Sequence, residues 1–260
     1  MEMFAIANKN LKMLFRSVLF IIFIIGIPIF MIYFMKMTID NTSVLINSSQ
    51  SQGFIEMVVL SPSMDNFFLQ TFVSGILVQF LLIASTITAS MVVSERENNT
   101  LMRMFIAPIT KVRMLAGISI GHTVFFLIIT FVIILTTYFL FGIYWGSWIS
   151  ILIITLLAAY VATAFAFVIT GIFKNGKTAA VVMSIVISIM TFMSGSIVQG
   201  DKFDLVSKFT LNKWIADAYL KLMTGQTLAN LLTNILTLGI IGTVFMIIAV
   251  LIHRKEGIYE

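Results

Sequence analysis

The chain has 260 residues, no cysteine and three prolines, and only 10% of its residues are charged. Without cysteine there is no disulfide framework, no thiolate metal site and no cysteine nucleophile. The shortage of charge excludes more. An ordinary soluble domain is roughly 25% charged, and its exterior must stay wet. Here 60% of residues are hydrophobic and the mean hydropathy is +1.07. A soluble enzyme, a nucleic-acid-binding domain and a disordered chain are all incompatible with that balance. The sequence is that of a polytopic integral membrane protein.

The net charge is +5, but the cations do not form a patch beside aromatics on a soluble fold, so nucleic acid is not an expected partner. They sit at the ends of apolar runs, where they meet lipid headgroups. A membrane-crossing helix needs about 20 mostly apolar residues. Six stretches qualify: Val18–Tyr33, Phe67–Val93, Met114–Phe141, Ile149–Phe173, Thr178–Val198 and Leu228–Ile252. The first lacks a small-x-small cleavage site and is too long for a signal-peptide core, so it is expected to remain as a span. The larger set of cations flanks one side: Lys9, Lys12, Arg16, Arg96, Arg103, Lys111, Arg113, Lys174, Lys177, Arg254 and Lys255. The smaller set, Lys36, Lys202, Lys208, Lys213 and Lys221, flanks the other. The positive-inside rule then puts both termini in the cytosol. Tyr138, Tyr144, Trp145 and Trp148 are expected to form an aromatic belt at the outer headgroup level.

The expected fold is all-α, a single transmembrane domain over 1–260. It has a cytosolic amphipathic helix at 1–16, an outer loop at 34–66, a cytosolic loop at 94–113 and an outer segment at 199–227. In the first helix Phe4, Ala7, Leu11, Leu14 and Phe15 share one arc, with Lys9, Lys12 and Arg16 opposite, so it is expected to lie in the inner interface. Asn212–Thr224 reads as a short outer helix resting on, or dipping into, the leaflet. Asn212 is its expected cap and Gly225 its stop, with a Lys213, Asp217, Lys221 ladder along it.

Gly171-Ile172-Phe173-Lys174-Asn175-Gly176-Lys177-Thr178 matches the Walker A pattern letter for letter. That chemistry needs a strand entering the loop and a nucleotide-binding domain around it. Here the loop joins two spans, so a cytosolic hairpin with Asn-Gly turn chemistry and two basic anchors is expected instead. The spans also lack Asp, Glu, Lys and Arg, which proton-coupled carriers and intramembrane enzymes place there. His122 is their one ionisable group and reads as a packing residue. Uphill movement would therefore draw its energy from a cytosolic partner.

The largest internal cytosolic loop, Ser94–Arg113, is where such a partner can touch. Ser94 and Glu97 have capping-box spacing. Leu101, Met104 and Phe105 make an apolar stripe and Pro108 stops the turn, which describes a short helix suited to a protein groove. This stretch resembles the membrane subunit of type-2 ABC transporters, the ABC-2 permease superfamily. That family carries Glu-Arg-Glu-x-Gly-Thr-Leu and then Pro between its second and third spans. The match is Glu95, Arg96, Glu97, Thr100, Leu101 and Pro108, with Asn99 in place of Gly, a residue that tolerates left-handed backbone. Phe173-Lys174-Asn175, the outer helix before the last span and the tail His253-Arg254-Lys255 extend the likeness.

The resemblance implies two such membrane subunits, identical or paired with a close relative, and two cytosolic ABC ATPase subunits. ATP and Mg would be bound by those partners, with no cofactor or metal on this chain. It implies that Glu95, Arg96, Glu97, Thr100, Leu101, Phe105 and Pro108 couple to the ATPase, with the N-terminal helix as a second contact. It also implies that spans two and five line the pathway, which brings forward Gln70, Phe72, Gln79, Phe80, Ser184, Ser188 and Thr191. Aromatics and amides in an uncharged cleft suit a large amphipathic molecule. The expected function is an ATP-driven exporter of a drug or antimicrobial peptide in a bacterial plasma membrane, in contact with membrane lipids. A lipid-linked glycan exporter and a non-transporting immunity or sensor module remain alternatives, and uncharged sites leave sodium coupling open.

Overall fold

A computed structural model of the chain describes residues 2–48, 62–97, 111–195 and 204–255. The helices are α1 (Glu2–Arg16), α2 (Val18–Ser48), α3 (Pro62–Glu97), α4 (Lys111–Phe141), α5 (Trp148–Ile172), α6 (Gly176–Met193), the single turn α7 (Asp204–Ser207), α8 (Leu211–Met223) and α9 (Leu232–Lys255). A 3-10 turn, Leu228–Leu231, leads into α9. Among the described residues there is no strand. Six helices are long and apolar enough to cross a membrane: α2, α3, α4, α5, α6 and α9 with its lead-in turn.

The six alternate in direction. One end of the bundle, here the basic end, gathers α1, the end of α3, the start of α4 and the α5–α6 connection. The other end holds α8 and the α4–α5 connection. α3 is the central helix, packed by α2, α4, α5, α6 and α8. α5 is sandwiched between α3, α4 and α9. α2 and α9 lie outermost, presenting Ile22, Phe23, Phe30 and Phe34, and Leu236, Ile240, Val244 and Leu251, to the surroundings.

α2 corrects the expected boundary. It does not stop near Tyr33 but runs through Ser48, into what the sequence suggests is outer loop. Hydropathy falls after Tyr33, but no Gly or Pro interrupts residues 34–48, so nothing local breaks the helix. At Lys36 the side chain reaches sideways and Nζ donates to the Phe141 carbonyl at 3.0 Å, satisfying the C-terminus of α4.

Three further expectations are corrected at the far end. Trp145 is not a headgroup anchor like the exposed Tyr138, Tyr144 and Trp148. It is 1% exposed, and Nε1 donates to Thr137 Oγ1 at 3.1 Å. α8 turns its apolar side to the bundle and not outward: Ile215, Ala218, Tyr219 and Leu222 are buried. Its cap is Thr210, whose hydroxyl accepts from Lys213 N at 3.4 Å, because Asn212 points inward instead. Gly225, with φ 81°, stands just beyond the helix end as expected.

α1 is a helix over the expected residues, and its packing depends on two glycines of α4. In lipid no hydrophobic drive brings helices together, so small residues that let backbones approach carry the contact. A Cβ on Gly121 would lie 2.7 Å from the Ala7 carbonyl oxygen, and one on Gly117 would lie 2.9 Å from that of Met3. The Gly-x-x-x-Gly spacing thus forms a shallow seat for α1, on which Ile6, Ala7 and Leu14 are buried. The expected apolar arc is only half right: Phe4 and Phe15, at its edge, stay exposed. Gly121→Val should unseat α1 and cost about 1–3 kcal/mol, as overpacking does. A lowered unfolding temperature of the purified protein, with new protease cleavage in α1, is the expected result; an unchanged melting curve contradicts the seat.

Candidate functional site

The last turn of α3 carries three neighbouring charges that bind three different elements. Ser94 and Glu97 do not begin a helix, as their capping-box spacing suggests. α3 is already helical from Pro62 to Glu97, and both residues lie in its final turns beside the start of α6. Lys9 of α1 donates to Glu95 Oε1 at 2.7 Å. Arg96 Nη2 donates to the Phe173 carbonyl at the end of α5. Glu97 accepts from Asn175 Nδ2 at 2.8 Å through Oε1, and from Gly176 N at 3.3 Å through Oε2.

Glu97 therefore sits at the N-terminus of α6, where unpaired amides and the helix dipole favour an anion. Asn175 completes the cap: its Oδ1 accepts from Thr178 N at 3.0 Å and from Thr178 Oγ1 at 3.2 Å. This local geometry also settles the Walker-like octet. Asn175 is an extended N-cap, with φ −113° and ψ 126°, and Gly176 is the first helical residue, so there is no Asn-Gly turn. Glycine is required at 176 for another reason. A Cβ there would lie 2.5 Å from Ser94 Oγ and 2.8 Å from the Ser90 carbonyl oxygen. An amide that a phosphate loop would offer to nucleotide is occupied by a carboxylate of the same chain.

Glu95 is the most enclosed of the three. It is 8% exposed, and its Oε2 is buried with no hydrogen-bond partner among the described residues. A buried carboxylate of this kind depends on its single cation. Deeper in α4, His122 is buried and its Nδ1 pairs with the Ile118 carbonyl at 2.9 Å. One helical turn away, Ile118 packs in a small cluster with Ile6, Val92, Phe167 and Ala249, which ties α1, α3, α4, α5 and α9 together. Among the described residues no group of three His, Asp or Glu side chains is placed to hold a metal.

At the far end a second polar network fixes α8. Tyr219 OH donates to Thr155 Oγ1 at 2.9 Å. Burial pushes the phenol above its ordinary pKa of 10, so it stays a neutral donor. Asn212 Nδ2 donates to Thr191 Oγ1 at 2.6 Å. Asn234 of α9 donates to Asp217 Oδ2 at 2.9 Å and to the Trp214 carbonyl at 3.1 Å, and accepts from Lys221 Nζ at 2.9 Å. Lys221 also pairs with Asp217 at 2.8 Å, as the sequence ladder suggests.

The residues expected to line a pathway are divided by this packing. Phe80 is buried, Phe72 and Gln79 are half-buried on α3, and Gln70 donates to the Met223 carbonyl of α8 at 3.4 Å. Ser184 and Ser188 lie on an exposed stripe of α6 with Val181, Ile185, Ile189 and Phe192, their hydroxyls donating to the carbonyls of Ala180 and Ser184. Thr191 lies along the same helical face but is covered by α8. Glu95, Arg96 and Glu97 are brought together at the basic end. Thr100, Leu101, Phe105 and Pro108 lie outside the described residues. Sequence reasoning missed Lys9, Phe173 and Gly176 as partners of this site. The Gly117/Gly121 spacing and the charge of the first helix were the available signals for α1. Nothing in the sequence signals that Glu97 caps α6.

Residues 38–251 match the family model described as ABC-2 family transporter protein. No curated protein matches the chain.

Lys9→Ala should strand the Glu95 carboxylate and cost about 1–3 kcal/mol. Adding Glu95→Gln should recover part of that loss, because a neutral amide needs no counter-charge. Thermal unfolding of both variants measures the difference. Additive losses would show that the pair is uncoupled.

Proposed function

The chain belongs to the ABC-2 family of transporter membrane proteins, and from that premise we propose that it is the membrane subunit of an ATP-driven exporter of amphipathic molecules. The family's permease domain lacks the ATPase, so hydrolysis belongs to a partner subunit. The basic end is the cytosolic side, by the excess of Lys and Arg there. Both termini lie on that side of a bacterial plasma membrane, and the ATPase engages the segment that follows Glu97.

One observation carries the reading. The turn immediately before that segment is bonded to α1 through Glu95, to the end of α5 through Arg96 and to the start of α6 through Glu97. A rigid push on the segment reaches all three elements at once, which a simple connector between two spans would not do. Closure of the ATPase subunits then tilts packed helices against each other. The exposed stripe of α6 with Ser184 and Ser188 faces a second permease subunit, identical or related, and the pathway runs between the two. Gln70, Phe72, Gln79, Phe80 and Thr191 line or support it from α3 and from beneath α8. With no charged group among these residues themselves, a large apolar or amphipathic substrate suits them better than a small ion.

Vesicles holding this chain and its ATPase partner should extrude an amphipathic dye only with ATP. Glu95→Ala/Glu97→Ala should abolish extrusion while the partner still hydrolyses ATP and the complex still assembles. Lys177→Ala should leave hydrolysis intact. Extrusion that survives the double substitution removes this turn from coupling, and extrusion that follows a sodium gradient without ATP refutes the reading altogether.

A further inference from the structure

We infer that the outward face of α1 is a clasp for anionic phospholipid headgroups, formed by Lys12 and Arg16 beside an aromatic edge of Phe4 and Phe15. The first support is depth. Phe15 packs edge-on against Phe125 of α4, with ring centroids 5.3 Å apart. α2 then runs from Val18 to Lys36, where Lys36 meets the end of α4 at Phe141. The eighteen helical steps from Val18 to Lys36 rise about 27 Å, close to the hydrocarbon thickness of about 30 Å. Arg16 therefore stands at one boundary of the hydrocarbon layer when Lys36 stands at the other. The end of α1 is at headgroup level, not out in the aqueous phase.

The second support is the division of the helix into three faces. Ile6, Ala7, Asn10 and Leu14 are buried on the glycine seat. Phe4 is 69% exposed and Phe15 38% exposed. They begin an apolar surface that continues into Val18, Leu19, Ile22 and Phe23 of α2, all exposed on the outside of the bundle. Lys12 and Arg16 are exposed one turn apart, and neither makes a hydrogen bond or ion pair among the described residues. Their neighbour Lys9 is already committed to Glu95. The clasp thus has two exposed cations at i, i+4 spacing beside an exposed apolar edge that runs on into the first span. An aqueous protein groove would leave Phe4 and Phe15 facing water or require a partner that enters the bilayer. A phosphodiester with two acyl chains satisfies both edges together. The inference rests on the depth of α1 and on no assumption about transport.

The absence of cysteine makes the test local. Asn8→Cys places a single fluorophore on the exposed face of the full-length protein, reconstituted in phosphatidylcholine vesicles. A small fraction of the lipid carries a headgroup nitroxide, on phosphatidylglycerol in one preparation and on phosphatidylcholine in the other. The clasp predicts markedly stronger quenching by the phosphatidylglycerol label, weakening as salt rises. Each cation removed should reduce that preference about five-fold, so Lys12→Ala/Arg16→Ala should erase it. Lys174→Ala/Lys177→Ala, which removes equal charge from the same end, should keep it. Equal quenching by the two lipids, or a preference that survives Lys12→Ala/Arg16→Ala, overturns the proposal. So does equal quenching accompanied by loss of solvent access when the purified ATPase partner is added, which would assign the face to protein docking. The salt dependence is read on the unsubstituted clasp, so a poorly folded double variant does not remove the test.

Discussion

Glu97 is the constraint on which the basic end depends. Its carboxylate closes the N-terminus of α6, a helix that begins without any acidic residue of its own in its first turn. Helix starts leave amides unpaired, and at a membrane surface they need either water or an anion. Supplying that anion from α3 couples two helices that are far apart in sequence. It also forces Gly176 to be glycine, because the closeness that lets Glu97 reach the amide leaves no room for a Cβ between Gly176 and Ser94. The Walker-like octet is a by-product of this contact: a glycine demanded by packing, an asparagine demanded by capping, and two lysines at the headgroup level.

The same economy governs the rest of the bundle. Asp, Glu, Lys and Arg are kept to the ends of the six described spans, and the ion pairs seen among the described residues lie at the two ends of the bundle. Between them, helices are held by apolar packing, by close approach where a Cβ on Gly242 of α9 would lie 2.7 Å from the Tyr160 ring of α5, and by the Thr123–Thr163 hydroxyl contact of 3.3 Å between α4 and α5. Specificity of assembly is therefore concentrated at the ends. The basic end is ionic and joins α1, α3, α5 and α6. The far end is built from neutral donors, with Tyr219, Asn212 and Trp145 buried around α8, and the Lys221–Asp217 ion pair at its edge. The far end holds α8 against α3 and α6.

The six spans were legible because apolar length is a strong signal that tertiary packing does not override. Glu95, Arg96 and Glu97 stand out in the sequence as residue types, but their geometry does not. Capping-box spacing at Ser94 and Glu97 is a local rule, and here the continuation of α3 took precedence, leaving Glu97 free to cap a different helix. Trp145 and Asn212 misled for a related reason. An aromatic or amide near a span end satisfies interfacial and capping rules equally well, and only the packing of α8 on the bundle makes those positions interior, with Tyr219 against Trp145 and Asn212 on Thr191. The end of α2 was missed because hydropathy marks where a helix leaves lipid, not where it stops being a helix.

If the turn at Glu95–Glu97 transmits force, α3 and α6 must move as one body at the basic end. Nitroxides at Met91→Cys and Lys177→Cys measure that directly, by pulsed electron resonance in the complex with its ATPase, nucleotide-free and trapped with nucleotide. The account requires one narrow distance distribution that is the same in both states and broadens when Glu97→Ala is added. A distance that changes with nucleotide while Glu97 is intact would contradict it.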